Sequence, residues 1–269
     1  MTTWVNGRLA TKIDVSDRGL QYGDGLFETM RIRDGGIALL EHHLDRLLMG
    51  CRRLRIAAPP RTILRGEIRR AAANRPDAIA KLIVTRGIGQ RGYRIPEPCR
   101  PTRILSVSAY AAIAAAPARI RLCRTRMAVN PQFAGLKTLN RLESVIARSE
   151  WRDARIGEGL LLDGDGHVVC GTMTNVFVGR NGRYVTPKLD RCGVAGVMRR
   201  WILEAAHSAG VKLIEARVSV DALLAADEVF LSNAVIGIWS VGVIVNANKL
   251  IKLPVRGAAD ALHARFAAQ

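Results

Sequence analysis

The sequence predicts an α/β (α+β) protein in two parts, and three observations carry that expectation. Strand-like and helix-like hydrophobic periods alternate along nearly the whole chain. The stretch from Ala109 to Ala118 is small, almost uncharged and interrupted by Pro117, the composition of a connector between domains. A length of 269 residues with 49% apolar content suffices for one large core or two smaller ones. The expected division is a small N-terminal α/β domain over 1–108, a linker over 109–118 and a larger C-terminal domain over 119–269.

Each element follows from local pattern. A short strand opens the chain from Thr3 and runs into the turn at Asn6-Gly7. A second covers Leu26 to Arg33, turns at Asp34-Gly35-Gly36 and resumes at Ile37 to Leu40, a hairpin signal. Leu40, Leu44, Leu47, Leu48, Cys51 and Leu54 then recur at helical spacing, and Pro59-Pro60 stops that helix. Another helix spans Ile63 to Ala73, and strands cover Ala80 to Thr85 and Ile104 to Ser108. Beyond the linker come a strand at Ile120 to Cys123, a loop at Asn130 to Gly135 and a helix from Leu139 to Trp151. Strands follow at Gly159 to Asp163, His167 to Cys170 and Asn175 to Val178, then a helix at Val197 to Ala209. The apolar run Glu228 to Val241 holds a buried strand, and a final helix ends the sequence.

Lys and Arg number 41 against 23 Asp and Glu, a formal charge of +18. Such an excess attracts polyanions without specifying them, and serves a small anionic ligand equally well. Neither basic–aromatic interleaving nor a helix-turn-helix pattern accompanies it, so a nucleic-acid partner is not expected. Between Arg46 and Arg103 the only acids are Glu67, Asp77 and Glu97, which places much of the excess in the smaller domain. Five scattered cysteines without a C-x-x-C pair indicate neither a disulfide framework nor a zinc site. With no signal-peptide pattern and no apolar run of bilayer length, the expectation is a cytoplasmic protein without a membrane partner.

Several segments carry candidate chemistry. Gly87-Ile-Gly89-Gln-Arg-Gly92 matches G-x-G-x-x-G, but Tyr93-Arg-Ile-Pro-Glu-Pro98 cannot open the helix that a dinucleotide turn requires. It reads as a flexible glycine loop whose Arg86, Arg91 and Arg94 face an anion or simply form a solvated basic surface. Gly193-Val-Ala-Gly196 leads into a helix without a capping Ser, Thr, Asp or Asn. The N–H groups of Val197 and Met198 there suit a phosphate; an ordinary loop-to-helix turn is the alternative. Lys137 lies in the apolar stretch Phe133 to Asn140. Desolvation favours a neutral, nucleophilic amine, as Schiff-base chemistry needs, although a snorkelling lysine has the same pattern. Arg46, one helical turn from His43, has the fork geometry for phosphate or the role of a surface arginine. Tyr22 to Thr29 crowds glycines and polar groups before an apolar strand, as in a loop over a pocket.

Taken together, Ser16 to Thr29, His43-x-x-Arg46-Leu47, Gly135-Leu-Lys-Thr-Leu-Asn-Arg-Leu-Glu143, Gly193 to Arg199 and Asp227-Glu-Val-Phe-Leu-Ser-Asn-Ala234 resemble, in order and over nearly the whole chain, the fold-type IV pyridoxal-phosphate enzymes. That resemblance implies a small N-terminal and a larger C-terminal domain with pyridoxal 5'-phosphate between them, in a homodimer whose subunits share the active-site rim. Lys137 would hold the cofactor as an internal aldimine and move protons. Arg46, the N–H groups of Val197 and Met198, and the Asn233-Ala234 turn would bind its phosphate. Arg86-Gly-x-Gly-x-Arg-Gly-Tyr93, Lys137 to Glu143 and Ser232-Asn-Ala234 look most like the lyase branch of the family. Those enzymes eliminate pyruvate from an anionic amino-substituted ring; the alternative is an aminotransferase of D- or branched-chain amino acids. Thr29 is implied as a catalytic contact, and Tyr93, Arg86, Arg91 and Asn140 as substrate contacts.

One departure stands out. Members of the family carry Val-Thr-Glu where this chain has Val168-Val169-Cys170, and that Glu pairs with the protonated pyridine nitrogen. A thiol cannot balance a pyridinium as a carboxylate does, which weakens the cofactor as an electron sink. Elimination that ends in an aromatic ring depends on that sink less than transamination does.

Overall fold

Residues 1–111, 116–246, 249–255 and 257–267 are described by the structure, a computed structural model. Residues 112–115 of the expected linker lie outside them. The chain divides into two units, Met1–Ala112 with Leu136–Asn140, and Ile113–Gly135 with Arg141–Gln269.

In the first unit the elements are β1 (Thr2–Val5), β2 (Arg8–Leu9), α1 (Arg18–Tyr22), β3 (Gly25–Arg33), β4 (Gly36–Ile37), α2 (Leu40–Leu54), α3 (Arg61–Ala72), β5 (Asp77–Thr85) and β6 (Thr102–Ala109). The strands form an antiparallel sheet in the order β2-β1-β6-β5-β3-β4. Strand residues alternate faces, so Met30 and Ile32 of β3 and Leu82 and Val84 of β5 point to one side. There they form a single core with Leu44 and Leu47 of α2 and Leu64 and Ile68 of α3. Phe27, Thr29 and Arg31 alternate with them and take the opposite, half-buried face.

The second unit contains β7 (Ala118–Met127), α4 (Leu142–Arg148), β8 (Glu158–Asp163), β9 (Val168–Gly171), β10 (Asn175–Arg180), β11 (Arg183–Pro187), α5 (Val197–Ala205), β12 (Lys212–Ala216), α6 (Val220–Leu224), β13 (Glu228–Asn233), β14 (Gly237–Asn246), β15 (Lys249–Lys252) and α7 (Ala258–Ala267). Its nine-stranded sheet runs β12-β11-β10-β13-β14-β7-β8-β9, with β15 beside β14. Parallel pairs occur at β11/β12, β14/β7 and β7/β8. Among the described residues no helix is long and apolar enough to cross a membrane.

Three differences from the sequence reading have clear causes. The helix expected from Leu139 to Trp151 is only α4. Leu136–Asn140 instead extends along β3, where Phe27 N–H donates to Lys137 O and Leu139 N–H to Gly25 O, and Leu136 is buried in the first core. The segment that carries Lys137 therefore groups with the first unit. The apolar run from Glu228 is two strands rather than one. Asn233 Oδ1 accepts the N–H groups of Val235 and Ile236, and the chain reverses into β14. The helix from Val197 ends at Ala205 and tightens into a 3₁₀ turn at His207–Ala209.

Candidate active site

In the first unit, the residues opposite α2 and α3 surround Lys137. The bridge Leu26–Thr138 sets a register in which Lys137 stands beside Phe27, and its Nζ lies 4.3 Å from the Phe27 ring centroid. Lys81 is the cross-strand partner of Thr29, and its Nζ lies 5.2 Å from the same ring. Lys137, Phe27, Thr29 and Lys81 thus share one face: two amines against an aromatic ring, with a hydroxyl alongside. Lys81 is exposed, and among the described residues no carboxylate pairs with it.

On the buried face of the same strand, Glu28 receives a two-pronged bond from Arg46, Nε to Oε1 at 2.7 Å and Nη2 to Oε2, while His43 Nδ1 lies 2.6 Å from Oε2. Glu28 and His43 are buried, and Arg46 is 10% exposed. Burial alone would raise the Glu28 carboxyl, but the charge of Arg46 and the bond from His43 outweigh it and hold it at about 2. Burial pushes the His43 pKa down despite its bond to Glu28, so the ring stays neutral with its proton on Nδ1 and its lone pair on Nε2.

Arg86 is buried beside its own loop. Its guanidinium forks onto Asp24 and donates to the carbonyls of Leu54 and Arg55, which makes it a buried brace of the loop. The glycine loop is pinned as well as flexible in sequence: Gly92 O accepts from Arg18, and Gly92 N–H donates to the Tyr22 hydroxyl. A Cβ on Gly87, which has φ +94°, would lie 1.8 Å from Arg100 O, so the chain there requires glycine. Arg91 and Tyr93 are exposed, with the Tyr93 ring 5.6 Å from that of Tyr22. Asn140 donates from Nδ2 to Gly23 O at 3.3 Å.

The second unit holds the remaining candidates. Helix α5 begins after Gly196 with no side chain capping it. Asn175 of β10 positions that end: its Oδ1 accepts Gly196 N–H at 3.2 Å, and its Nδ2 donates to Val194 O at 2.9 Å. Ser232, the cross-strand partner of Asn175, is buried and its Oγ has no hydrogen-bond partner. It precedes Asn233 and Ala234, whose turn is closed by the Asn233 side chain. The N-terminal turn of α5 directs its amides outward, and its positive dipole favours an anion.

Cys170 of β9 is buried, with Sγ 3.7 Å from Met127 Sδ. Burial, reinforced by the charge of Glu158, pushes its thiol up to about 12, so it stays neutral. The buried carboxylate of this region is Glu158, whose oxygens accept the N–H groups of Thr172 and Met173 and both threonine hydroxyls of Thr172 and Thr174. Nearby, Asp163, Asp165 and His167 gather in the turn after β8, and Arg191 pairs with both aspartates.

Lys81, Glu28, Asn175, Glu158 and Ser232 were not among the candidates from the sequence, and the structure places them beside those candidates or their supports. Lys81 left a signal, a cation at an outward position of an otherwise apolar strand, and Glu28 and Ser232 lie within segments that carry the family resemblance. What Glu28, Asn175, Glu158 and Ser232 do is set by their partners, which the sequence does not bring together.

Comparison with known proteins adds context. The family profile described as Amino-transferase class IV matches residues 25–244. The crystal structure of 4-amino-4-deoxychorismate lyase from Pseudomonas aeruginosa is similar at 46% identity and a TM-score of 0.93, covering 99% of this chain and 98% of that one. An aminodeoxychorismate lyase of Vibrio harveyi is 33% identical over 257 residues, 94% of each chain. A D-alanine aminotransferase of Bacillus licheniformis is 28% identical over 244 residues, 87% of this chain and 84% of the relative.

Proposed function

The chain belongs to the class IV aminotransferase family, and from that premise we propose that it is a pyridoxal 5'-phosphate-dependent lyase converting 4-amino-4-deoxychorismate to p-aminobenzoate and pyruvate. The full-length likeness to the Pseudomonas lyase carries the choice of lyase over aminotransferase.

The residues fit the cofactor at two of its three handles. Lys137 supplies an amine on an aromatic ring. Arg46 in the first unit and, in the second, the uncapped turn at Val197 and Met198, the Asn233-Ala234 turn and the partnerless hydroxyl of Ser232 are each donors of the kind an anionic phosphate requires. The third handle differs, because the neutral thiol of Cys170 cannot balance a protonated pyridine. When bound, the cofactor supplies an aldehyde that condenses with amines and a ring that withdraws electrons.

Lys137 Nζ removes the proton from the ring carbon that bears the substrate's amino group. The hydroxyl of Thr29 contacts the substrate beside it. Lys81 and Arg91 meet its carboxylates, with Arg86 withdrawn from that role by its bonds to Asp24, and Tyr93 and Asn140 line the approach. Loss of pyruvate makes the ring aromatic, so the elimination needs less delocalisation into the pyridine than transamination would. The enzyme acts as a homodimer in the cytoplasm; exposed Leu142, Val145 and Ile146, at helical spacing on α4, support a subunit contact.

Adding aminodeoxychorismate to the cofactor-loaded protein and following p-aminobenzoate and pyruvate tests this reading. Lys137→Ala should abolish both turnover and the cofactor's visible absorbance, and retained turnover defeats the assignment. Amino exchange between D-alanine or a branched-chain amino acid and a keto acid, with no p-aminobenzoate formed, would establish the aminotransferase instead.

A further inference from the structure

Glu28 has no role in the chemistry above, yet it is a buried carboxylate with two partners one helical turn apart on α2. Arg46 approaches it side-on, through Nε and Nη2, which fixes the plane of the guanidinium and the direction of its opposite edge. His43 holds the same carboxylate from the other side through Nδ1. The His43 Nε2 atom is buried and has no hydrogen-bond partner, so the ring's one strong polar contact is with Glu28. A long, flexible arginine reaching an anion from a helix has many rotamers, and a two-pronged carboxylate selects one of them.

We infer that Glu28 is a positioning residue for the cofactor's phosphate, holding Arg46 in the one orientation that receives it, with His43 fixing Glu28 in turn. This rests on the reading above that Arg46 meets the phosphate. Two effects of removing the Glu28 charge oppose each other. A lost negative charge near the site favours an anion, whereas a lost fork frees the guanidinium to turn away. The second effect is the larger, because Arg46 already neutralises the carboxylate at hydrogen-bond distance.

The test compares apoprotein titrated with pyridoxal 5'-phosphate and with pyridoxal, which lacks the phosphate, read by the visible absorbance of the bound aldehyde. Inorganic phosphate serves as a competitor. Glu28→Gln should weaken pyridoxal 5'-phosphate about tenfold or more while pyridoxal changes by less than about twofold. In an Arg46→Gln background the same change should have no further effect on that ratio, because Glu28 acts through Arg46. A merely structural role would lower the melting temperature and leave the ratio of the two affinities as in the wild type; that result, or tighter phosphate binding in Glu28→Gln, overturns the inference. If Glu28→Gln does not fold, Glu28→Asp reads the same ratio, since the shorter side chain cannot keep both prongs. Wild-type apoprotein that binds pyridoxal as tightly as its phosphate would sink the assignment of Arg46 itself, a different outcome from failure of Glu28 alone.

Discussion

Replacing Glu158 by glutamine changes one oxygen to an NH₂ group and removes a charge, with almost no change in shape. The carboxylate is fully buried and accepts from five donors: Gly159 N–H at 2.8 Å and, in the turn after β9, Thr172 N–H at 3.0 Å, Met173 N–H at 3.1 Å, the Thr174 hydroxyl at 2.9 Å and the Thr172 hydroxyl. An amide can accept on one side only, so either the Gly159 and Thr172 N–H groups on Oε1 or the Met173 N–H on Oε2 must face another donor. Hydroxyls can rotate away, but a buried backbone N–H cannot. A buried donor left unmatched costs about 1–3 kcal/mol, and bonds to a charged acceptor weaken by a comparable amount when it becomes neutral. The expected loss is therefore about 3–5 kcal/mol, a fall in melting temperature of roughly 10 °C for a chain of this size. Urea unfolding of the apoprotein should show a lower midpoint at an unchanged slope. The loosened turn lies between Cys170 and Asn175, which holds Gly196 at the start of α5, so affinity for pyridoxal 5'-phosphate should fall too. A stability loss below about 1 kcal/mol would refute the reasoning, because it would mean that the displaced donors find other partners.

Two further outcomes follow from buried contacts. The Glu28 carboxyl is held at about 2 in the folded protein against an ordinary value of 4.5, so its contribution to stability is complete above 4.5 and is lost as pH falls towards 2. That shift corresponds to about 3 kcal/mol, and the stability gap between wild type and Glu28→Gln should shrink steadily from pH 5 to pH 2 in denaturant titrations; a gap independent of pH contradicts it. In Gly196→Ala the new Cβ would lie 2.1 Å from Asn175 Oδ1. The bond from Gly196 N–H should break at a cost of about 1–3 kcal/mol, with weaker pyridoxal 5'-phosphate binding, and an unchanged melting temperature together with unchanged cofactor affinity would show that Asn175 does not position α5.

Where the core face of an element repeats, local pattern sufficed to place it. Helix α2 carries its leucines at helical spacing, and β3 alternates strictly between the core and the open face, so both were legible with nearly correct ends. Elements without such a stripe were not. Strand β12 is mostly exposed, α6 has five residues, and Leu136–Asn140 has the composition of a helix start but bonds to β3. Periodicity registers repeated burial on one face, and these segments either bury little or bury it against a distant part of the chain.

The candidate site divides along the same line. Lys137, Arg46 and the glycines before Val197 were visible as residue types in settings that suit their chemistry, and their order along the chain carried the family resemblance. Arg86 and Lys81 are told apart only in the folded protein. Both are cations close in sequence to the glycine loop, but Asp24 lies within reach of Arg86, whereas strand register turns Lys81 to the open face beside Phe27 and Thr29. The sequence by itself determined the periodic elements, because each is a property of neighbours along the chain, and its resemblance to the family singled out Lys137 and Cys170. Tertiary structure alone decided that Glu28 joins His43 and Arg46, that Glu158 collects a turn's donors and that Arg86 is a brace, because hydrogen bonds are set by distances of about 3 Å in space between residues the sequence holds far apart.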